Sequence, residues 1–394
     1  MSLNEKVSAE RLHIAFFGLR NAGKSSVVNA ITNQSLSVVS EVKGTTTDPV
    51  KKAMELLPIG PVVIIDTAGI DDEGELGELR IEKTRKILNK TDIAILVIDA
   101  SKGKQQEDSN LIEDFKKRNI PYIVAFNKCD LITENKKLNE NEIYVSAKEN
   151  ININELKELI GKLSNLEKEE KTLLGDIINS GDTVVLVTPI DSSAPKGRLI
   201  LPQQQTIREL LDIGATVVVT KDSELKETLS KFKNQPRLVI TDSQAFKRVN
   251  EIVPANIALT SFSILFARYK GELWGAVSGA DKLDELQDGD YVLISEGCTH
   301  HRQCGDIGTE KLPNWIKNYT KKDINFDFTS GSDFPEDLKK YKLIIHCGAC
   351  MLTEREMKTR ISLSNEQQIP ISNYGIIIAK INGILERATA PLRK

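Results

Sequence analysis

The stretch Gly18–Ser25, GLRNAGKS, fits the pattern G-x-x-x-x-G-K-S/T between an apolar run, HIAFF, and a helical pattern, SVVNAIT. Backbone N–H groups in such a turn surround a phosphate at a helix N-terminus, which is electrostatically suited to anions. We expect Lys24 on the β- and γ-phosphate oxygens and the Ser25 hydroxyl on Mg²⁺. The residues predicted around the phosphates are Asn21, Ala22, Gly23, Lys24, Ser25 and Ser26. The stretch therefore predicts a nucleoside-triphosphate site after the first strand.

A second motif, DTAG at Asp66–Gly69, follows the apolar run VVII. A carboxylate at the end of a strand can hold Mg²⁺ through water, and the Gly69 N–H can face a γ-phosphate. The motif therefore predicts that Asp66 and Gly69 complete the phosphate end of the site.

Two later motifs identify the base. NKCD at Asn127–Asp130 follows the run YIVAF, and SAK at Ser146–Lys148 follows IYV. The Asp130 carboxylate can accept two hydrogen bonds from guanine, from N1–H and the exocyclic amine, a pattern that adenine lacks. The residues predicted around the base are Asn127, Lys128, Asp130, Ser146, Ala147 and Lys148. The bound nucleotide is accordingly predicted to be GTP.

The rest of the chain repeats the same rhythm of short apolar runs and helical patterns. Such alternation is typical of α/β folds with mostly parallel sheets. We predict a P-loop GTPase domain at 1–170, followed by two smaller α/β domains at 171–265 and 266–394. The middle block carries no recognisable chemistry, which favours a role in association.

Composition restricts the partners. The chain has 394 residues, 40% of them hydrophobic, and a formal net charge of −3. This balance lacks the basic excess that nucleic-acid binding requires. The N-terminus does not resemble a signal peptide, and no apolar run approaches the roughly 20 residues of a membrane helix. We therefore expect a soluble cytoplasmic protein with no nucleic-acid or membrane partner.

The third block carries a candidate metal centre. Four of the five cysteines lie there, in the patterns Cys298-Thr-His300 and His346-Cys347-Gly-Ala-Cys350 and at Cys304. Cys298, His300, Cys347 and Cys350 would make a Cys₃His zinc site. Three thiolates can equally hold a [4Fe–4S] cluster whose fourth iron takes a weaker ligand. From the residues alone, both metals remain open.

The first block resembles the TrmE/Era-like class of small GTPases, on the P-loop, DTAG, NKCD and SAK motifs. The resemblance implies that KGTTTDP is the first switch, that Thr46 completes Mg²⁺ coordination and that Asn21 helps bind K⁺. Ile70 stands where Ras-like enzymes carry the glutamine that orients water, so slow GTP hydrolysis is expected. The residues implied in catalysis are Lys24, Asn21, Thr46 and Asp66; the acids that could position water are Asp71, Asp72, Glu73, Glu75 and Glu78.

The whole chain resembles the GTPase family of [FeFe]-hydrogenase maturation factors, because C-x-H…H-C-x-x-C follows the GTPase motifs and a middle α/β block. The resemblance implies a [4Fe–4S] cluster on Cys298, Cys347 and Cys350, and a homodimer joined by the middle block. It also implies a scaffold that receives a diiron precursor made with two radical-SAM maturases and delivers it to apo-hydrogenase.

The neighbours of these cysteines have less defined roles. Glu296, His300 and His346 are candidates for an exchangeable fourth ligand or for hydrogen bonding to the cluster, and Cys304 lies outside the motif. Two other functions remain open. One is a ribosome- or tRNA-associated GTPase with a structural zinc site, and the other is a signalling GTPase with structural zinc.

Overall fold

The structure is a computed structural model that describes residues 11–33, 50–67, 84–133, 137–166, 172–189, 199–271, 273–297, 306–331, 333–349 and 352–393. The chain divides into two compact units, residues 1–169 and 170–394. Strands and helices are numbered in chain order over the described residues. None of the helices described there is both long and apolar enough to cross a bilayer.

The first unit is built on a largely parallel sheet with the order β2-β3-β1-β4-β5-β6, in which β2 runs antiparallel to β3. Its strands include β1 (Leu12–Phe17), β2 (Val50–Leu56), β3 (Gly60–Asp66), β4 (Ile93–Asp99), β5 (Tyr122–Asn127) and β6 (Glu142–Tyr144). Its helices include α1 (Lys24–Thr32), α2 (Gln106–Lys117) and α3 (Ile153–Leu166).

Apolar side chains cover both faces of this sheet. All seven residues of β4, IAILVID, are buried, as expected for a central parallel strand covered by helices on both sides. Val27 and Ile31 of α1 pack with Phe16 on one face, while Phe115 of α2 packs with Phe17 on the other. Because β1, β3, β4 and β5 run parallel, their last residues, Phe17, Asp66, Asp99 and Asn127, lie at the same end of the sheet.

The second unit contains two four-stranded parallel sheets, with the orders β10-β9-β7-β8 and β12-β11-β13-β14. The first sheet and its helices comprise β7 (Thr183–Val187), α4 (Leu201–Ile213), β8 (Thr216–Thr220), α5 (Leu225–Ser230), β9 (Leu238–Thr241), α6 (Phe246–Ile252), β10 (Ala258–Ser261) and α7 (Phe262–Lys270). The second comprises α8 (Leu273–Asp281), β11 (Tyr291–Glu296), α9 (Leu312–Thr320), β12 (Asn325–Ser330), β13 (Leu343–His346), α10 (Glu354–Glu366), β14 (Ile371–Asn373), α11 (Tyr374–Ile381) and α12 (Leu385–Thr389).

One hydrophobic core joins these two sheets. It includes Leu186 of β7, Phe266 of α7, Ile294 of β11 and Ile377 of α11, each at most 2% exposed. Since the core is shared, the second unit is compact as a whole. The predicted fold class, a P-loop α/β domain followed by further α/β sheets, is confirmed. The division into three domains stays a prediction.

Candidate nucleotide site and cysteine loop

The turn after β1 requires glycine at two positions. Gly18 has φ 142°, and a Cβ there would lie 2.2 Å from the carbonyl oxygen of Val97. Gly23 has φ 88°, and a Cβ there would lie 2.3 Å from Nδ2 of Asn127. Asn21 between them has φ 61°, in the left-handed region that Asn tolerates better than most residues. The motif glycines thus let β4 and Asn127 approach the phosphate-binding turn closely.

Lys24, Ser25 and Asp66 meet at the phosphate end. The Lys24 Nζ donates to the carbonyl oxygens of Gly18 (3.0 Å) and Leu19 (2.9 Å). The Ser25 hydroxyl donates to Oδ2 of Asp66 at 2.6 Å. The other oxygen of Asp66, Oδ1, is buried and has no hydrogen-bond partner within the described residues. Mg²⁺ prefers oxygen ligands of this kind, so the Ser25–Asp66 pair fits the predicted metal.

Asn127 and Lys128 connect the base end to the P-loop. The Asn127 amide donates to the Ala22 carbonyl at 3.0 Å and accepts from the Ala147 N–H at 3.1 Å. The Lys128 Nζ donates to the Asn21 carbonyl at 2.8 Å and to Oδ2 of Asp99 at 2.6 Å. These hydrogen bonds connect the NKCD motif to the P-loop on one side and to the SAK motif on the other.

Asp99 is a part of this site that sequence reasoning missed. Burial alone would raise the pKa of the Asp99 carboxyl, but hydrogen bonds from Lys128 and Ser101 hold that pKa below its usual value. A negatively charged Asp99 therefore orients Lys128. Its position at the carboxyl end of β4, beside β5, was the available signal.

Asp130 and Ser146 form the rim of the base site. The Ser146 hydroxyl donates to Oδ1 of Asp130 at 2.5 Å and accepts from the Glu149 N–H at 3.1 Å. Lys148 is exposed and pairs with Glu149 at 3.3 Å. The Ser146 hydroxyl thus fixes one oxygen of the exposed Asp130 carboxylate, and the guanine-binding role of Asp130 stays a prediction.

The first switch and the acids after DTAG lie outside the described residues. Ser26 is half-buried in the first turn of α1. The predicted residues that fall outside the described ranges are Thr46, Gly69, Asp71, Asp72, Glu73, Glu75 and Glu78.

The second site lies at the carboxyl ends of β11 and β13. These strands are parallel neighbours, with Ser295 opposite His346. We use the term cysteine loop for residues 347–352, which follow β13. The Cys347 N–H donates to the Ser295 carbonyl at 2.9 Å, and the Cys347 sulfur accepts from the N–H groups of Gly297 (3.0 Å) and Ala349 (3.4 Å). Two N–H donors on one sulfur stabilise a thiolate, so Cys347 fits a metal ligand.

The remaining predicted cluster ligands are not among the described residues. Cys298, His300, Cys304 and Cys350 fall outside those ranges. Within the ranges, no three or more His, Cys, Asp or Glu side chains gather in a group that could hold a metal ion. Of the cysteines in the last third of the chain, Cys347 is the one within the described residues. A cavity of about 380 Å³ adjoins this loop and is lined by Cys347, Gly348, Lys270 and Lys282, among others.

His346 is fully buried behind the cysteine loop. Burial, followed by the nearby charge of Arg360, lowers its pKa to about 3, so the ring is neutral. The Arg360 guanidinium donates to Nε2 at 2.8 Å, which places the proton on Nδ1, and Nδ1 donates to the Cys347 carbonyl at 3.0 Å. Both ring nitrogens of His346 are therefore engaged, and the ring fixes the backbone of Cys347.

Arg360 is the second residue that sequence reasoning missed. It lies on α10, 3% exposed, and donates to Oε1 of Glu356 at 3.0 Å, to the Ser295 hydroxyl at 3.2 Å and to the Gly331 carbonyl at 2.6 Å. In the sequence, Glu356 and Arg360 look like an ordinary exposed i,i+4 pair. Only their burial reveals that they support β11 and β13.

Glu296, the last residue of β11, is also buried, at 6% exposure. It accepts a hydrogen bond from the Tyr374 hydroxyl at 3.3 Å. Burial and the charge of Glu296 raise the pKa of Tyr374, which therefore stays a donor. A Cβ at Gly308 would lie 2.5 Å from Oε1 of Glu296, so this carboxylate needs a glycine beside it.

Fold and nucleotide site together define a P-loop GTPase extended by two parallel α/β sheets. Matches to known protein families agree with this class of protein. Residues 13–128 match a 50S ribosome-binding GTPase domain. Residues 173–271 match the hydrogen maturase F dimerization domain, and residues 274–391 match the hydrogen maturase F tetramerization domain. The chain belongs to the hydrogen maturase F family.

Curated relatives match the GTPase part. The tRNA modification GTPase MnmE of Desulforamulus reducens is 33% identical over 175 residues, 44% of this chain and 36% of that protein. MnmE of Lactobacillus acidophilus is 35% identical over 199 residues, 48% of this chain and 40% of that protein. The chain thus spans about two fifths of the length of these relatives. An Era structure from Aquifex aeolicus with bound GDP and AlF₄⁻ is 21% identical to this chain, with a TM-score of 0.35. The alignment covers 53% of this chain and 92% of the Era chain.

Proposed function

We propose that this protein is a cytoplasmic GTP-hydrolysing scaffold that binds a [4Fe–4S] cluster on Cys298, Cys347 and Cys350. It carries the diiron precursor of the [FeFe]-hydrogenase active site, which is made with two radical-SAM maturases, and delivers that precursor to apo-hydrogenase. The observation that carries this proposal is the combination, in one chain, of a GTPase domain and both hydrogen maturase F domains. The Cys347 sulfur with two N–H donors supports a metal site in the second of those domains.

The chain's part in GTP hydrolysis is to orient the nucleotide. Lys24 would neutralise phosphate oxygens, Asp130 would select guanine, and Ser25, Asp66 and Thr46 would hold Mg²⁺. Asn21 would help bind K⁺, which would supply positive charge to the phosphates. Hydrolysis should be faster in KCl than in NaCl at equal ionic strength, and Asn21→Ala should remove the difference. Equal rates of wild-type protein in the two salts would refute the potassium role.

The cluster is tested by anaerobic reconstitution with iron and sulfide, followed by optical and paramagnetic resonance spectra. We expect broad visible absorption in the wild type, and its loss in Cys298→Ala, Cys347→Ala and Cys350→Ala. Cys304→Ala is the matched control within the same domain and should keep the spectrum. Glu296 and His300 remain the candidates for an exchangeable fourth ligand, whereas His346, with both ring nitrogens engaged, would support the site through the Cys347 backbone. A colourless protein that retains zinc would refute the cluster and with it the scaffold role.

We infer a homodimer joined at the edge of the first sheet of the second unit. Strand β8, TVVVT, is the last strand in the order of this sheet among the described residues, and it exposes 44% of Val219. Such an apolar edge pairs readily with a second copy. Val219→Lys should therefore shift light scattering towards the monomer, whereas Lys226→Glu on α5 should not. A dimer that persists in Val219→Lys would exclude this edge.

A second candidate function is a ribosome- or tRNA-associated GTPase with a structural zinc site. The MnmE relatives are named tRNA modification GTPases, and the first domain matches a model named for ribosome binding. Filter binding of labelled tRNA and of 50S subunits, in the presence of a non-hydrolysable GTP analogue, separates the two functions. Binding that saturates at submicromolar concentration would favour this second function.

A further inference from the structure

Lys270 is a buried cation that the nucleotide and cluster motifs leave unassigned. It is the last residue of α7 and is 4% exposed. Its Nζ donates to the carbonyl oxygens of Ala349 (3.3 Å) and Leu352 (3.0 Å), and it lies 6.0 Å from the centre of the Phe266 ring. Burying an ammonium ion costs several kcal/mol unless polar groups compensate for lost water. The two carbonyl groups of the cysteine loop provide that compensation.

These two carbonyl groups belong to one turn. The Leu352 N–H donates to the Ala349 carbonyl at 3.1 Å, so Lys270 and Leu352 share that oxygen. Ala349 has φ 52°, a left-handed conformation that is costly for alanine. The Ala349 N–H also donates to the Cys347 sulfur at 3.4 Å. A group that holds Ala349 in this conformation therefore also holds a donor to Cys347.

We propose that Lys270 is a positioning residue for the cysteine loop: its ammonium group fixes the carbonyl groups of Ala349 and Leu352 and keeps the Ala349 N–H on the Cys347 sulfur. This inference rests on the proposed function, because it assigns Lys270 to the cluster site. The positive charge also stabilises thiolates and the electron that a cluster gains on reduction. Removing the charge should lower the reduction potential of a bound cluster.

Three variants separate positioning from simple packing. Lys270→Met removes the charge and the donors at nearly equal length, and Lys270→Arg restores both. Lys282→Met is the matched control, because Lys282 lines the same cavity but lies at the surface in an ion pair with Glu285 at 2.6 Å. Fluorescence of Trp274 and Trp315 verifies that each variant retains a folded second unit.

The first measurement needs no cluster. Amide exchange is followed by mass spectrometry on peptides that cover residues 343–357 in the apoprotein. We expect exchange about tenfold faster in Lys270→Met and unchanged exchange in Lys282→Met and Lys270→Arg. Equal exchange in Lys270→Met and wild type would overturn the proposal, because the turn would then hold without the ammonium group.

The second measurement uses reconstituted protein. Iron release to a chelator should be about tenfold faster in Lys270→Met, the size typical for groups that support metal ligands. The midpoint potential should become more negative, and Lys270→Arg should restore both values. If Lys270→Met shows faster amide exchange but the iron release and midpoint potential of the wild type, Lys270 contributes only to packing. That result would overturn the proposal. A wild type that takes up no iron would refute the proposed function instead, while the exchange measurement still decides whether Lys270 holds the loop.

Discussion

The nucleotide site and the cysteine loop are supported in different ways. In the nucleotide site the motif residues hold one another: Asn127 bonds to Ala22 and Ala147, and Ser146 bonds to Asp130. The cysteine loop is supported from outside its motif: Lys270 on α7 bonds to the loop directly, and Arg360 on α10 bonds to His346, which holds the Cys347 carbonyl. Motifs that bond to each other are recognisable in one sequence, whereas a loop supported from distant helices shows only its cysteines.

The largest expected effect tests the support behind the cysteine loop. Arg360→Met removes the cation beside Glu356 and the donor to His346, both buried. We expect the second unit to lose about 3–5 kcal/mol of unfolding free energy. Urea unfolding followed by the fluorescence of Trp274 and Trp315 measures it. Arg208→Met on α4 is the control, since its ion pair with Asp212 is exposed to solvent and contributes little to stability. Equal losses of unfolding free energy in Arg360→Met and Arg208→Met would mean that Arg360 does not support the second unit.

The next effect tests burial in the first unit without touching either site. Burial lowers the pKa of His13 from 6.5 to about 4, so below pH 6.5 the unfolded chain binds a proton that the folded chain does not. The free energy of unfolding should fall by about 3 kcal/mol as pH drops from 6.5 to 4. His13→Gln should flatten that fall. Amide exchange in peptides covering β1 measures this pH dependence of the unfolding free energy. An identical pH profile in wild type and His13→Gln would contradict a neutral buried His13.

A third prediction removes one motif residue from the nucleotide site. Lys24→Ala should weaken GTP binding about 100-fold, because charge-assisted hydrogen bonds contribute about 1.5–3 kcal/mol each. Titration with a fluorescent GTP analogue measures the affinity. Lys102→Ala, an exposed lysine of the same unit, should bind normally. Cluster absorption should stay unchanged, and wild-type affinity in Lys24→Ala would remove this lysine from the phosphate site.

The smallest effect concerns base selection. Asp130→Asn keeps an oxygen that accepts from the Ser146 hydroxyl, so the loop should remain folded. The NH₂ group that replaces the second carboxylate oxygen donates and cannot accept from guanine, so GTP binding should weaken about tenfold while xanthosine triphosphate binds better. Competition between the two nucleotides measures the change. An unaltered preference for GTP would mean that other residues select the base.

Much of the first unit could be predicted from the sequence. The P-loop, NKCD and SAK lie directly after apolar runs, and the structure places Ser25 next to Asp66 and Asn127 next to Ala147. Parallel strands place their carboxyl ends at the same end of the sheet. Motifs that follow neighbouring parallel strands therefore lie close together there. Asp99 was missed because one aspartate at the end of a strand, without a surrounding motif, does not indicate a binding site.

The amino-acid sequence predicted the α/β class, the nucleotide motifs and a cysteine motif in the last third. The burial of Arg360 and Lys270 behind the cysteine loop and the neutral ring of His346 depend on tertiary packing. Charged side chains on helices look the same in sequence whether they face water or protein. Their surroundings depend on how helices pack on a sheet, and that packing brings together residues far apart in the chain, such as Lys270 and Leu352, which are 82 positions apart.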